Sequence, residues 1–194
     1  MLYEVIDTGN SRSFPGPHAL LEKAESRGDA VVIIGDRVGQ ALQTLAERAS
    51  RTAVLIELGM ESLGVHTGET LGLEGSNVLG FARFRLGSAP PTALIEVVRQ
   101  PGSSPAALAA AKEIFGSAGL QIAVCGDVDG RIVDRLVRPY YNAALRRLDE
   151  GLASAEDLQD ANASWMPEGL EQLSLEGAKC LAHTITSAYM NIAR

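Results

Sequence analysis

The sequence predicts an α/β region over residues 1–127 and an all-helical region over residues 128–194. Three observations carry that expectation. Two apolar runs of strand length, residues 30–34 and 52–58, flank a helical stripe, and together they have the size of one βαβ unit. Three further strand-length runs lie between residues 77 and 125, with one helical pattern among them. From Gly130 onward the strand patterns stop, and apolar residues recur at helical spacing alone.

Residues 2–6 read as a short first strand, and residues 8–17, with Gly9, Pro15, Gly16 and Pro17, as a turn-rich connector. Residues 19–26 suit a short helix. The β-branched run 30–34 ends at Gly35, the pattern of a strand buried on both faces. Residues 38–49 follow as a helix with Val38, Ala41, Leu42, Leu45 and Ala46 on one stripe, and residues 52–58 are again strand-like. Residues 59–76 hold Gly59, Gly64, Gly68, Gly72 and Gly75 with little periodicity, and read as a loop. Residues 77–86 and 93–99 are strands around a turn at 88–91. Ser104 is an N-cap with Pro105 at the first helical position, opening a helix to about Ser117 that Gly119 stops. Residues 120–125 form the next strand.

Beyond Gly130, a long stripe runs through Ile132, Val133, Leu136, Val137, Tyr140, Ala144, Leu145 and Leu148. Pro139 inside it should bend or split the helix, because it lacks a backbone donor and clashes with the preceding turn. Ser154, three residues before Asp157, resembles a capping box for a helix ending near Ala163. A last helix is expected over 174–193, apolar at Leu175, Ala178, Leu181, Ala182, Ile185, Ala188, Tyr189 and Ile192.

Composition bounds the function. Of 194 residues, 46% are apolar and 21% charged, which is ordinary globular usage. A net charge of −7 argues against nucleic acid or an anionic membrane as the main partner. Cys125 and Cys180 lie in apolar surroundings far apart, as reduced thiols in a cytoplasmic protein would. His18, His66 and His183 are scattered without metal-ligand spacing, so no metal is expected. The first ten residues show no signal-peptide pattern, and the longest apolar runs are too short to span a bilayer. A soluble, cytoplasmic protein is the expectation.

Residues 124–161 contain Gly130-Arg-Ile-Val-Asp-Arg-Leu-Val-Arg-Pro-Tyr-Tyr-Asn-Ala-Ala144 and then Glu150-Gly-Leu-Ala-Ser-Ala-Glu-Asp157. This resembles the start of the helical domain of 3-hydroxyacyl-CoA dehydrogenases, with its Gly-Phe-Ile-x-Asn-Arg-Leu, Pro-Tyr and Asn-Glu-Ala anchors. Upstream, Val78-Leu-Gly-Phe81 and Ile95-Glu-Val-Val-Arg99 resemble the strand pair that carries the family's catalytic His and Glu. The resemblance covers about eighty residues and implies a fold: a reduced Rossmann-like N-terminal domain followed by an all-helical C-terminal domain. It also implies a chemistry, hydride transfer between substrate C3 and a nicotinamide. A His acts there as general base, a Glu balances its charge, and Asn and Ser side chains hold the reacting oxygen.

Carried over residue by residue, the family's His position is Ala82, its Glu is Glu96, and its Asn position is Asp134, while its Ser has no counterpart. An alanine cannot accept a proton, and a carboxylate at 134 would repel a developing oxyanion. Glu96 is open to a second reading, a solvated strand residue or one salt-bridged to Arg83 or Arg99. His66 could replace the lost base from the loop, or be a solvated loop histidine. At the nucleotide end a Rossmann turn needs three glycines. Gly35 supplies the first, Arg37 stands at the second, and Gln40 at the third with Gly39 one place early. Glu57 ends the second strand, where an acidic residue would hold the ribose. The unit either binds NAD through Gly35, Gly39 and Glu57 or only packs. The units missing from a full cofactor domain are expected between Glu57 and Asn77.

The resemblance therefore implies one of three functions. The first is a non-catalytic module whose helical domain dimerises, or packs on a catalytic dehydrogenase and lines an acyl-CoA site. The second is a working NAD-dependent 3-hydroxyacyl-CoA dehydrogenase with Glu96 or His66 in place of the lost base. The third is an acyl-CoA binding protein without redox chemistry, with Arg83, Arg85, Arg131 or Arg138 meeting CoA phosphates, or else serving as ordinary surface charge.

Overall fold

The computed structural model describes residues 1–85, 90–154 and 156–157. The chain divides into two compact units, Met1–Phe84 with Pro91–Val133, and Arg85–Pro90 with Asp134–Arg194. The first unit is a mixed six-stranded Rossmann-like sheet: β1 (Tyr3–Asp7), β2 (Ala30–Ile34), β3 (Ala53–Glu57), β4 (Val78–Arg83), β5 (Leu94–Arg99) and β6 (Gln121–Gly126). Its helices are α1 (Ala19–Glu22), α2 (Val38–Thr44), α3 (Gly64–Thr67) and α4 (Pro105–Ser117), with a 3₁₀ turn at Arg48–Ser50. In the second unit α5 (Val133–Asp149, whose first residue belongs to the first unit) runs unbroken through Pro139. The cap after it forms as expected: the Ser154 hydroxyl donates to Asp157 Oδ2 at 2.6 Å, and the Asp157 amide returns to Ser154 Oγ at 3.0 Å. The helices expected to follow, with Cys180 and His183, lie outside the described residues.

The strands lie side by side in chain order, β1-β2-β3-β4 parallel, β5 antiparallel to β4, and β6 parallel to β5. Strands β2 and β3 are wholly buried, so their side chains feed two cores. Ala30, Val32, Ile34, Leu55 and Phe81 face one side with Leu20 of α1 and the Ala107, Ala110, Ala111, Ile114, Phe115 stripe of α4. Val31, Ile33, Val54, Ile56 and Val98 face the other with Val38 and Leu42 of α2 and with Leu58 and Leu63. Phe81 anchors the first core, edge-on to Phe115 at 5.1 Å between ring centroids.

This arrangement relocates what the fold lacks. The doubly wound nucleotide fold orders its strands 3-2-1-4-5-6, reversing direction at strand 1. Here β1 is an edge and the order never reverses, so the sheet matches the half that starts at strand 1. The missing units fall between β1 and β2, not between Glu57 and Asn77. Crossover handedness agrees. The connections β2–α2–β3, β3–α3–β4 and β5–α4–β6 share one hand, given their strand directions and faces. The β1–α1–β2 connection steps the same way as β2–α2–β3 but lies on the opposite face, and so has the other, rarely used hand.

Local differences from expectation have local causes. Helix α2 stops at Thr44 because Leu45 turns extended (ψ 114°) and Glu47 is left-handed (φ 55°), although Leu45 still reaches the second core. Ser104 sits at the N-cap of α4, but its hydroxyl makes no cap bond, and its amide donates to the Ser76 carbonyl at 2.6 Å. Helix α1 has only four residues, and its N-cap is His18, whose Nδ1 accepts from the Leu20 amide at 3.1 Å.

That cap requires an unprotonated Nδ1. Burial, reinforced by Arg83 and opposed by Glu22, lowers the His18 pKa below its ordinary value. With the folded value below the unfolded one, the contribution is present above about pH 6.5 and is lost as pH falls through the folded value. His18→Asn caps without titrating. Urea midpoints at about pH 5 and about pH 7.5 should therefore differ less in this variant than in the native chain. An undiminished difference would show that His18 does not carry it.

Candidate functional site

The antiparallel register of β4 and β5 sets Ala82 directly opposite Glu96. Glu96 alternates with Ile95 and Val97, which feed the first core, and so it points to the second face. The chain returns to that face after β6 through Gly130 (φ 74°) and Arg131 (φ 45°). Two consecutive amides at the start of α5, those of Ile132 and Val133, donate to Glu96 Oε1 at 2.7 and 2.8 Å. Arg131 Nε stands 3.5 Å from the other carboxylate oxygen, with the two side chains 4% and 3% exposed. The Arg131 guanidinium also donates to the Gly59 carbonyl at 2.6 Å, while its Nη1 makes no hydrogen bond among the described residues. Glu96 thus caps a helix and pairs with Arg131, not with Arg83 or Arg99. Close by, burial and then the Glu96 charge push the Cys125 thiol up to about 11, so it stays protonated and unreactive near neutrality.

The surrounding loops are held by the same device, carboxylates accepting backbone amides. Asp127 receives Leu63 and Gly64 at 2.6 and 2.9 Å, and the Gln100 side chain at 3.0 Å. Glu61 accepts from the Gly59 amide at 2.9 Å and meets His66 Nε2 at 3.1 Å. Burial raises the Glu61 pKa, but the Gly59 amide and the His66 ring outweigh it, leaving the carboxyl below its usual value. His66 is therefore paired and largely buried, with its Nδ1 against Gly39.

At the carboxyl ends of β1 to β3, Glu57 is buried. Its Oε2 accepts from the Gly35 amide at 2.7 Å and its Oε1 from the Ser13 amide at 2.6 Å. Gly35 has φ +105°, and a Cβ on it would lie 2.3 Å from the Gly9 carbonyl oxygen. The Arg37 guanidinium donates to the Thr8 carbonyl at 2.9 Å, and Gln40 is exposed. The space beside Gly39 belongs to His66. Gly35, Arg37, Gly39 and Glu57 meet protein where a dinucleotide was expected, so the fit to that group is poor.

Of the remaining candidates, Arg83 bonds the carbonyls of Ser13, Pro91 and Thr92 and lies over the Phe14 ring at 5.2 Å. Arg85 is engaged as well, and the Arg138 side chain lies outside those described. Asp134 is half-buried in the first turn of α5, where a negative charge favours the helix dipole. Among the described residues no cluster of His, Cys, Asp or Glu could hold a metal ion, and no helix is long and apolar enough to cross a membrane. Sequence reasoning missed Arg131 as the partner of Glu96. Its signal, a lone arginine after a glycine thirty-five residues downstream, gives no spatial information.

No family model matches the chain. Over 99 residues it is 31% identical to a 3-hydroxybutyryl-CoA dehydrogenase of Mycobacterium tuberculosis, a match covering 50% of this chain and 34% of the relative. The matched stretch thus spans about a third of that relative's length. Among solved structures, the 3-hydroxybutyryl-CoA dehydrogenase of Escherichia coli K12 is 25% identical with a TM-score of 0.53, covering 68% of this chain and 28% of that one. The structure of FadB2 from Mycobacterium tuberculosis has a TM-score of 0.58 at 21% identity, over 85% of this chain and 61% of that one. The chain is similar to 3-hydroxyacyl-CoA dehydrogenases in sequence over half its length, and in fold over more.

Proposed function

We propose that this chain is a non-catalytic relative of the 3-hydroxyacyl-CoA dehydrogenases, acting in the cytoplasm in acyl-CoA or fatty-acid metabolism. Residues 128–194 form its helical domain, which dimerises or packs on a catalytic dehydrogenase and lines an acyl-CoA site there. The observation that carries this reading is the pairing of Ala82 with Glu96. The position facing the carboxylate holds no base, and the carboxylate serves α5 and Arg131 instead. Leu136, Leu145 and Leu152 stand exposed in the second unit, which supports association through it. With NADH and acetoacetyl-CoA the native chain should show no oxidation of NADH, and sedimentation should show an associated species. Turnover would sink the proposal, and a clean monomer at micromolar concentration would sink its dimerising form.

The His66–Glu61 pair favours a second reading, because a histidine held by a carboxylate is the usual form of a general base. Two hydrogen bonds, from Glu61 through Gly59 to Arg131, and then the Arg131–Glu96 ion pair link it to Glu96. In that reading the chain is an NAD-dependent dehydrogenase with a rearranged site, and His66→Ala abolishes a turnover that the native chain possesses.

A further inference from the structure

We infer that Glu57 is an internal anion that closes the crevice between the carboxyl ends of β1 and β2 to a dinucleotide. In a doubly wound sheet that crevice receives the pyrophosphate, against the backbone amides of a turn that follows a strand. Here the amides already have an anionic partner. One oxygen of Glu57 takes the Gly35 amide after β2, and the other takes the Ser13 amide in the connector after β1. The loops are then zipped to each other. The Asp36 amide donates to the Gly9 carbonyl at 2.9 Å, Asn10 Nδ2 donates to Asp36 Oδ2 at 2.9 Å, and the Arg37 amide donates to Thr8 Oγ1 at 3.1 Å.

The chemistry argues the same way as the geometry. A diphosphate placed on this turn would need the amides that Glu57 holds, and would be repelled by the Glu57 and Asp36 carboxylates beside it. The Arg37 guanidinium at the turn is committed to the Thr8 carbonyl. This inference deepens the proposed function by naming what stands in the cofactor's place.

Titration of the native full chain with NADH, followed by nucleotide fluorescence into the millimolar range, should show no saturable enhancement. Glu57→Ala should lower the thermal midpoint by several degrees. Formate, a carboxylate small enough to fill the gap, should then raise the variant's midpoint more than chloride does at equal ionic strength, and should leave the native chain unaffected. Saturable NADH binding by the native chain overturns the inference, and that titration needs no variant to fold. A Glu57→Gln variant with the native midpoint also overturns it, because the NH2 that replaces one carboxylate oxygen cannot accept the N–H that oxygen held, as does a formate response no larger than chloride's. Binding without turnover would overturn this inference alone, whereas turnover would overturn the proposed function as well.

Discussion

Glu96→Ala should lower the unfolding free energy by about 3–5 kcal/mol, the range for breaking a buried ion pair by removing one partner. The carboxylate is nearly fully buried, and three groups depend on it: the Ile132 and Val133 amides and the Arg131 guanidinium. Removing it leaves a buried cation whose remaining hydrogen bond among the described residues is to the Gly59 carbonyl, at the base of the β3–β4 connection. The double variant Glu96→Ala with Arg131→Met removes both charges, and should recover a substantial part of the loss. Urea unfolding of the four chains closes the cycle. A Glu96→Ala variant within about 1 kcal/mol of native would show that the pair is not the brace described.

Gly35→Ala should cost about 3 kcal/mol, although the residue is only partly buried and gains a single methyl group. Two costs add. At φ +105° an L-residue is strained, and the new Cβ would approach the Gly9 carbonyl oxygen at 2.3 Å and Thr8 Oγ1 at 2.5 Å, so the β1 loop would have to move. Gly9 is the control, because it also has positive φ (+88°) but no heavy atom within 4 Å of its would-be Cβ. Gly9→Ala should therefore show the backbone cost alone, about 1 kcal/mol. Equal denaturation midpoints for the two variants would mean that the loops after β1 and β2 are not closed on each other.

These residues mark how much of the structure is legible in the sequence. Local patterns carry the strands: the β-branched run 30–34 is buried on both faces, and the spacing of Ala107, Ala110, Ala111, Ile114 and Phe115 gives α4 its sheet-facing stripe. The resemblance carries the juxtaposition of residues 82 and 96. Strand order is not local. Nothing in residues 3–7 says that they form an edge, and so local patterns alone put the first glycine turn after β2 and the missing units in the wrong connection. The partners of Glu57 and Glu96 lie 22 to 44 residues away in the chain, and a carboxylate that binds amides has no motif, because its donors are main chain. His66 shows the same limit, since a glycine-rich loop gave no reason to expect it held between Glu61 and Gly39.

In the proposed function Glu96 holds the fold together and performs no chemistry. The most direct measurement is the rate of NADH oxidation with acetoacetyl-CoA in the native chain and in Glu96→Gln, with unfolding curves recorded on the same preparations. No rate above background is expected in either chain, and a lower unfolding midpoint is expected in the variant. A native rate that vanishes in Glu96→Gln while the midpoint is unchanged would contradict that role.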